Sequence, residues 1–319
     1  MGRVRPDCPL PTRDGVSPSC LVLPAGCWPR LADFLAVRLP AVSREGWLER
    51  LRRGEVADAE GRPLPPDAPY RPHLRIWYYR SLEREHRVPF EAELLFRDDL
   101  LVAVDKPHFL PVTPSGRYLQ ETLLVRLKRK LGIETLSPVH RIDRETAGVV
   151  LFTLQPRSRD AYQSLFRERL VVKHYEAVAP WRPEPLPEVY RSRLVEGDSF
   201  MTMREAPGEP NAETAIELLD VRGELALYRL SPVTGQKHQL RAHMAALGRP
   251  ILHDQIYPRH LPEPDPDRPP DYSRPLQLLA RELGFLDPLT GEWREFRSRR
   301  ELTWGRAEAA HGGRDTAMA

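Results

Sequence analysis

The chain has 319 residues, of which 41% are hydrophobic, and this length suffices for one large domain and a smaller one. No apolar run approaches the ~18 residues of a membrane span, and residues 1–29 lack the basic head and apolar run of a signal peptide. The formal net charge of +3 excludes a polycation, although the basic residues are clustered. The three cysteines (Cys8, Cys20 and Cys27) form no Cys-x-x-Cys pair, which predicts reduced thiols in the cytoplasm and no metal site.

The first part of the chain is predicted to hold an irregular segment and a small helical module. Residues 1–27 are rich in Pro, Gly and Ser without periodicity, which predicts irregular or disordered structure. An apolar stripe from Leu31 and a cap at Ser43 predict two helices within residues 28–80, and residues 81–91 are a predicted linker. Arginines lie along these helices, at Arg38, Arg44, Arg50, Arg52 and Arg53. They form either a binding face or a solvated surface.

Two short strands and an amphipathic helix are predicted next. The strands cover residues 93–96 and 100–104, and the helix covers residues 120–131. The helix buries its leucines and turns four cations outward: Arg126, Lys128, Arg129 and Lys130. Such a face is either merely solvated or a contact for phosphates.

One acid between two arginines marks the centre of the chain. Asp143 lies between Arg141 and Arg144 in the run 140–148, His-Arg-Ile-Asp-Arg-Glu-Thr-Ala-Gly, which leads into the apolar strand 149–152. Nearby cations favour the ionised form of a carboxylate, and polar groups held at the end of a strand often build a site. The alternative is an ordinary surface ion-pair cluster ahead of a core strand.

A second basic helix, residues 157–169, precedes the strand 171–178. Alternation along this strand places Lys173, Tyr175 and Ala177 on one face. Taken alone, this pattern is equally typical of a plain strand with an amphipathic tyrosine.

The segment 231–244 predicts a turn followed by a helix. An inward apolar stripe that begins at Leu240 anchors the helix, so that Arg241 on the neighbouring face projects toward a site. A metal site at His238 and His243 is not favoured, because a spacing of five does not place both on one helical face and no carboxylate or thiol cluster joins them.

The last predicted element is a hairpin. Its strands cover residues 276–286 and 293–296, and the turn covers residues 287–292. The segment 304–319 is rich in Ala and Gly, which predicts a disordered tail.

Three of these segments resemble, in order, the motifs of the RluA-type pseudouridine synthases. The run 140–148 resembles the signature His-Arg-Leu-Asp-x-x-Thr-Ser-Gly, with Ile142 and Ala147 as the changes. Residues 173–177 are similar to the second motif, Lys-x-Tyr-x-Ala, and residues 231–244 to the third, Pro-x-Thr-Gly-Arg-x-His-Gln-Leu-Arg-x-His. Motifs of this kind are hypotheses that a structural context must support.

The resemblance spans roughly residues 92–297 and implies an α+β fold, in which a mixed, largely antiparallel curved sheet is flanked by helices around a central cleft. The N-terminal helices resemble the S4-like RNA-binding module that often precedes these synthases. The implied division is an irregular N-terminus, the S4-like module, a linker, the catalytic domain and a disordered tail, at residues 1–27, 28–80, 81–91, 92–303 and 304–319. Gln236 in place of the usual Arg, and Leu279 in place of a common His, are expected to tune substrate contacts.

The resemblance also implies an activity: isomerisation of uridine to pseudouridine in structured RNA, rRNA or tRNA, by a monomer without metal or cofactor. Asp143 is the implied catalytic residue and Arg241 its bidentate partner. Tyr175 would stack on the uracil and assist proton removal, and Arg141 would fill the stack that the flipped base leaves. The other implied substrate-binding residues are His140, Arg144, Thr146, Lys173, His238 and Gln239.

Two other classes of protein stay open on the sequence. One is a catalytically inactive RNA-binding or ribosome-assembly protein with the same fold. The other is a different Asp-dependent enzyme such as a glycosidase, which normally needs two carboxylates that flank the scissile bond.

Overall fold

A computed structural model of the chain describes residues 8–82, 84–197, 199, 202–261 and 268–304. These residues fall into two compact units. The first runs up to Glu85 and includes Thr113–Glu134, and the second comprises His86–Val112 and the chain from Thr135 onward. The predicted tail beyond residue 304 and the first seven residues of the predicted irregular N-terminus lie outside the described residues.

The first unit combines a small antiparallel sheet with helices. The strands are β1 (Ser19–Val22), β2 (Val56–Ala57) and β3 (Arg75–Tyr78), in the order β1-β3-β2, and the helices are α1 (Leu31–Arg38), α2 (Arg44–Arg52) and α3 (Leu123–Leu131). Ser43 caps α2 as predicted, because its Oγ accepts the N–H of Gly46 at 3.1 Å. β1 lies in a stretch predicted to be irregular, where pairing with β3 supplies an order that four residues do not reveal by themselves. The S4-like assignment stays a prediction.

The cationic face of α3 differs from its prediction. Lys128 is only 5% exposed, and its Nζ lies 3.4 Å from Ser17 Oγ and 3.8 Å from a carboxylate oxygen of Glu134. Arg129 donates to the carbonyl of Asp14. The prediction that Lys128 faces solvent is therefore wrong, because residues 14–17 cover this side of the helix.

The second unit is built on one eleven-stranded sheet. Its strands are β4 (Glu93–Arg97), β5 (Leu101–Lys106), β6 (Ser137–Pro138), β7 (Ala147–Thr153), β8 (Val172–Pro180), β9 (Val189–Glu196), β10 (Met203–Ala206), β11 (Ala212–Arg222), β12 (Leu225–Pro232), β13 (Leu278–Leu286) and β14 (Trp293–Arg297). The spatial order is β10-β9-β11-β12-β8-β13-β7-β5-β4, with β14 beside β13 and β6 beside β7. Among these pairings only that of β7 with β13 is parallel. The predicted α+β class with a largely antiparallel sheet is confirmed.

Two helices cover parts of this sheet. They are α4 (Arg159–Arg167), after a short 3₁₀ turn at Pro156–Ser158, and α5 (Gln239–Ala246). α4 packs Tyr162 against Phe285 of β13, and α5 packs Leu240 and Met244 against β8 and β12. No helix among the described residues is both long and apolar enough to cross a bilayer.

The register of three neighbouring strands brings distant motifs together. Ala280 of β13 pairs with Tyr175 of β8 on one side and with Gly148 of β7 on the other. The loop that carries Asp143 ends immediately before β7. The first two predicted motifs therefore meet across β13.

Candidate active site

Asp143 occupies a tight turn at the entrance to β7. The N–H of Thr146 donates to the carbonyl of Asp143 at 3.2 Å, which closes a four-residue turn. Every residue of β7 is buried, so the turn is held on a fixed strand. The carboxylate itself remains accessible, with 27% of the Asp143 side chain exposed.

Gly148 allows the start of β7 to lie close against β13. Its φ is +115°, and a Cβ at this position would lie 2.2 Å from the carbonyl oxygen of Ala280. Only glycine permits so close an approach of two backbones. The parallel pairing of β7 with β13 thus depends on this residue.

Lys106, at the end of β5, holds the Asp143 turn through a hydrogen bond to its backbone. It is fully buried, and its N–H groups donate to three backbone carbonyls, those of Pro107 (2.9 Å), Leu110 (2.8 Å) and Arg144 (3.0 Å). Burial lowers the pKa of Lys106 to about 7, against the opposing charges of Glu145 and Asp143. Three acceptors match the three donors of an ammonium group, so this lysine is a structural clamp on the Asp143 turn.

Replacing Lys106 with methionine is expected to destabilise the protein. The change leaves three buried carbonyls without their donor, which we expect to cost about 3 kcal/mol of unfolding free energy. Urea unfolding followed by fluorescence measures this. Lys130→Met, at an exposed position of α3, serves as the control. Equal unfolding midpoints for the two variants would show that Lys106 is not a clamp.

Arg241 of α5 reaches the carboxylate of Asp143. Its Nη1 donates to Asp143 Oδ2 at 3.1 Å, and its side chain is only 1% exposed. The predicted bidentate grip is made on a different acid, since Nε and Nη2 of Arg241 bind Asp254 at 2.8 Å and 2.7 Å. The predicted pair is present, but the prediction of its bidentate geometry is wrong.

The guanidinium is shared among three carboxylates. Glu145 Oε2 lies 3.9 Å from Arg241 Nη1, beside the contacts with Asp143 and Asp254. Burial alone would lower the pKa of Arg241, but hydrogen bonds to Asp254 and the charges of the three acids outweigh it, and the net pKa is raised. Burial raises the pKa of Glu145, yet Arg144 and Arg241 together hold it below its usual value. Arg144, a predicted RNA contact, is ion-paired with Glu145 at 2.6 Å.

Tyr175 faces the charge of Asp143 from β8. Burial and the nearby carboxylate of Asp143 raise the pKa of Tyr175, so its phenol stays protonated at neutral pH. Lys173 lies on the same face of the strand, where its Nζ donates to the carbonyl of Thr234 at 3.3 Å and burial lowers its pKa to about 8. Tyr175 thus lies within the electrostatic reach of the acid, and Lys173 lies two residues before Tyr175 on the same face of β8.

His238 precedes α5 and points toward Asp143. Its Nε2 lies 3.8 Å from Asp143 Oδ1, and its Nδ1 lies 3.3 Å from the hydroxyl of Tyr257. That hydroxyl accepts the N–H of Met203 at 2.7 Å, so its own proton is directed to Nδ1 of His238. Burial lowers the pKa of His238, which favours a neutral ring with its Nε2 proton toward Asp143.

Three other predicted substrate contacts are engaged inside the protein. His140 stacks on Phe166, its Nε2 accepts the N–H of Leu151 at 3.2 Å, and burial lowers its pKa to about 3. Thr146 is 2% exposed within the Asp143 turn. The amide of Gln239 is 4% exposed and bonds four groups around the start of α5, on Thr234, Gln236, Glu213 and Thr214. These three side chains therefore hold the elements of the site in place through burial and internal hydrogen bonds.

The two departures from the family motifs have different surroundings. Leu279 is fully buried in an apolar cluster with Ala147, Val178 and Leu302, so the expectation that it tunes substrate contacts is wrong. Gln236 is exposed, and its side-chain amide donates to the carbonyl of Asn211 at 3.3 Å. Within the described residues, no group of three or more His, Cys, Asp or Glu residues is placed to hold a metal ion.

Comparisons with known proteins match the region that contains this site. Residues 100–246 match the RNA pseudouridylate synthase family. An uncharacterized RNA pseudouridine synthase of Synechocystis is 31% identical over 233 residues, which covers 71% of this chain and 79% of the relative. The dual-specificity RNA pseudouridine synthase RluA of Haemophilus influenzae is 30% identical over 241 residues, which covers 68% of this chain and 98% of the relative. This chain belongs to the RluA-type RNA pseudouridine synthase family.

Solved structures agree with the assignment of this synthase to the family. The human RNA pseudouridylate synthase domain containing 4 superimposes with a TM-score of 0.51 at 28% identity, over 66% of this chain and 88% of that one. The synthase spans about a third of the length of human pseudouridylate synthase RPUSD2, to which it is 32% identical over 187 residues. Its family makes it an isomerase that acts on RNA.

Proposed function

We propose that the synthase isomerises a specific uridine of structured RNA with Asp143 as its catalytic residue and with Arg241 and Tyr175 beside it. The observation that carries this proposal is the 3.1 Å contact between Arg241 Nη1 and Asp143 Oδ2, which joins residues 98 positions apart. A carboxylate that is paired with a permanently charged guanidinium and is still partly exposed suits a nucleophile or a base.

The reaction balances within the nucleoside. The bond from C1′ to N1 breaks and a bond from C1′ to C5 forms, while C5 loses a proton and N1 ends with one. The carboxylate can attack C1′, add at C6 or remove the 2′ proton, and each route needs an oxygen that is free of strong protein hydrogen bonds. Arg241 donates to Oδ2 of Asp143, whereas no hydrogen bond to Oδ1 is found among the described residues, and Nε2 of His238 lies 3.8 Å from Oδ1. Oδ1 is therefore the proposed reactive oxygen.

The remaining roles follow from position. The ring of Tyr175, whose hydroxyl keeps its proton, stacks on the uracil, since an aromatic face suits a flipped base. Lys173 and Nε2 of His238 contact polar groups of the nucleotide. The substrate class is rRNA or tRNA. One supporting relative, a yeast mitochondrial tRNA pseudouridine(32) synthase, is 31% identical over 170 residues, which covers 52% of this chain and 37% of the relative.

The arrangement argues against a glycosidase. Such an enzyme needs a second carboxyl group that is protonated and can act as the acid. Glu145 and Asp254 are the acids that share Arg241 with Asp143, and neither fits, because the pKa of Glu145 is lowered and both oxygens of Asp254 bind the guanidinium. The joint presence of Asp143, Tyr175 and Arg241 argues equally against an inactive protein.

The proposal is tested first on the RNA itself. Pseudouridines are mapped in total RNA from a strain that lacks the gene and from the same strain with the gene restored. We expect one or a few sites to lose pseudouridine in the deletion strain and to regain it on complementation. Unchanged maps would exclude the proposed substrate class.

Arg141→Ala is expected to weaken productive engagement of structured RNA. Arg141 is exposed two residues before Asp143, where its planar guanidinium can fill the vacated stack. Base flipping costs a few kcal/mol. We therefore expect the transition-state stabilisation that kcat/KM reports to fall by up to about 3 kcal/mol on a folded stem-loop, and by less on an unstructured oligonucleotide. Arg167→Ala, at an exposed position of α4, is the control. Equal losses on both RNAs would contradict the stack-filling role.

A further inference from the structure

Asp254 is a buried acid that the motifs do not include. Its side chain is fully buried, and its two oxygens bind Nη2 and Nε of Arg241 at 2.7 Å and 2.8 Å. We propose that Asp254 is a positioning residue, which holds Arg241 so that a single nitrogen reaches Asp143 and Oδ1 of Asp143 stays open to the nucleoside. This inference rests on the proposed roles of Asp143 and Arg241.

Asp254 is itself fixed by the backbone. Its Oδ1 accepts the N–H groups of Ile256 at 2.8 Å and Tyr257 at 3.1 Å, which forms an Asx-type turn. The carboxylate thus has four donors, two from the turn and two from Arg241, and no freedom to rotate. A rigid acid fixes the plane of the guanidinium that it binds.

The edge of Arg241 that Asp254 occupies is the one best suited to grip a carboxylate bidentately. With that edge taken, Asp143 receives only Nη1, at 3.1 Å. If the edge were free, Arg241 could bind both oxygens of Asp143 and withdraw the oxygen that the nucleoside needs. Asp254 also shares the positive charge, so that Asp143 is oriented without being fully neutralised.

The fold supplies a matched control for this role. Asp287 is likewise fully buried, binds Nε of Arg294 at 2.6 Å, and accepts the N–H groups of Leu289 at 2.9 Å and Thr290 at 3.2 Å. It thus repeats the turn of Asp254 in the hairpin between β13 and β14, with one ion-pair contact to an arginine in place of two hydrogen bonds. Its oxygens also accept the hydroxyl of Tyr162 at 3.1 Å and 3.0 Å, and among the described residues it makes no contact with Asp143. Asp287→Asn therefore removes the charge of a fully buried acid in the same kind of turn, at a place outside the proposed catalytic group.

The test compares Asp254→Asn with Asp287→Asn on one RNA. Single-turnover rates report the chemical step, and fluorescence anisotropy reports the Kd for RNA. We expect Asp254→Asn to react about 100-fold more slowly with a Kd within about threefold of wild type, because misplacing one catalytic group by an ångström has this effect on rate. Asp287→Asn is expected to lose similar thermal stability and to keep its rate. A rate loss for Asp254→Asn no larger than that of the control, or a loss confined to Kd, would overturn the proposal.

Two further measurements keep the outcome decisive. If Asp254→Asn does not fold, Asp254→Glu and Asp287→Glu are compared by the same two readouts and the same criteria. Asp143→Asn is assayed in parallel. An active Asp143→Asn would refute the proposed catalytic role itself, whereas an inactive Asp143→Asn together with a fully active Asp254→Asn would refute only the positioning role.

Discussion

Arg241→Ala is expected to reduce pseudouridine formation by about 1,000-fold or more. The guanidinium is the one cation that donates directly to Asp143 among the described residues, and removing a preorganised charged donor from a buried site costs on the order of 100- to 1,000-fold in rate. The loss is expected to exceed that range, because Asp254 then remains buried without its partner and the site reorganises. Single-turnover assays with saturating enzyme measure the effect on the chemical step.

The same change also destabilises the fold, so the assay needs a control that separates the two effects. Breaking a buried ion pair by removing one partner costs about 3–5 kcal/mol. Arg294→Ala removes the partner of Asp287, an acid as fully buried as Asp254, although the side chain of Arg294 is 15% exposed, and it is expected to cost stability with normal turnover. Turnover of Arg241→Ala within tenfold of wild type would contradict the pairing as a catalytic requirement.

Gly148→Ala is expected to lower the unfolding free energy by about 4 kcal/mol. The added methyl group would lie 2.2 Å from the carbonyl oxygen of Ala280, and a φ of +115° is strained for any residue with a Cβ. The backbone must therefore move, and the pairing of β7 with β13 moves with it. Because Asp143 lies on the turn just before β7, activity is expected to fall together with stability.

Gly223→Ala separates strain from collision. Gly223 lies between β11 and β12 with a φ of +61°, and a Cβ added there would meet no atom of the described residues within 4 Å. Only the cost of the left-handed backbone therefore applies, about 1 kcal/mol. Thermal and urea unfolding of both variants measure the difference. A Gly148→Ala variant no less stable than Gly223→Ala would show that β7 tolerates displacement from β13.

The sequence predicted the parts of the site that lie on regular elements. Alternation along β8 placed Tyr175, and helical spacing in α5 placed Arg241 on the face beside its apolar stripe. The motif resemblance joined both to Asp143, and the structure brings Arg241 into contact with that acid. The periodicity of a strand or helix depends only on neighbouring residues, so it can be found in the sequence. The resemblance to the family motifs indicates which of these elements lie together in the fold.

What the sequence did not reveal depends on contacts between distant segments. Asp254 lies in a turn without periodicity, and its burial arises only when α5 brings Arg241 to it. The amphipathic pattern of α3 predicts that Lys128 faces solvent, but this local pattern does not show that residues 14–17 cover the helix. Leu279 matches a motif position by order, but its side chain lies in an apolar cluster, and the alternation of a strand does not say which face meets the site.

The central claim, that the carboxylate at position 143 performs the isomerisation, is tested most directly by tritium release. RNA carrying tritium at C5 of uridine is incubated with wild type and with Asp143→Asn, after unfolding and RNA-binding curves have shown that the two proteins match. Wild type is expected to release tritium to water as C5 is joined to C1′, and Asp143→Asn is expected to release none above background. Release by Asp143→Asn at the wild-type rate would contradict the account.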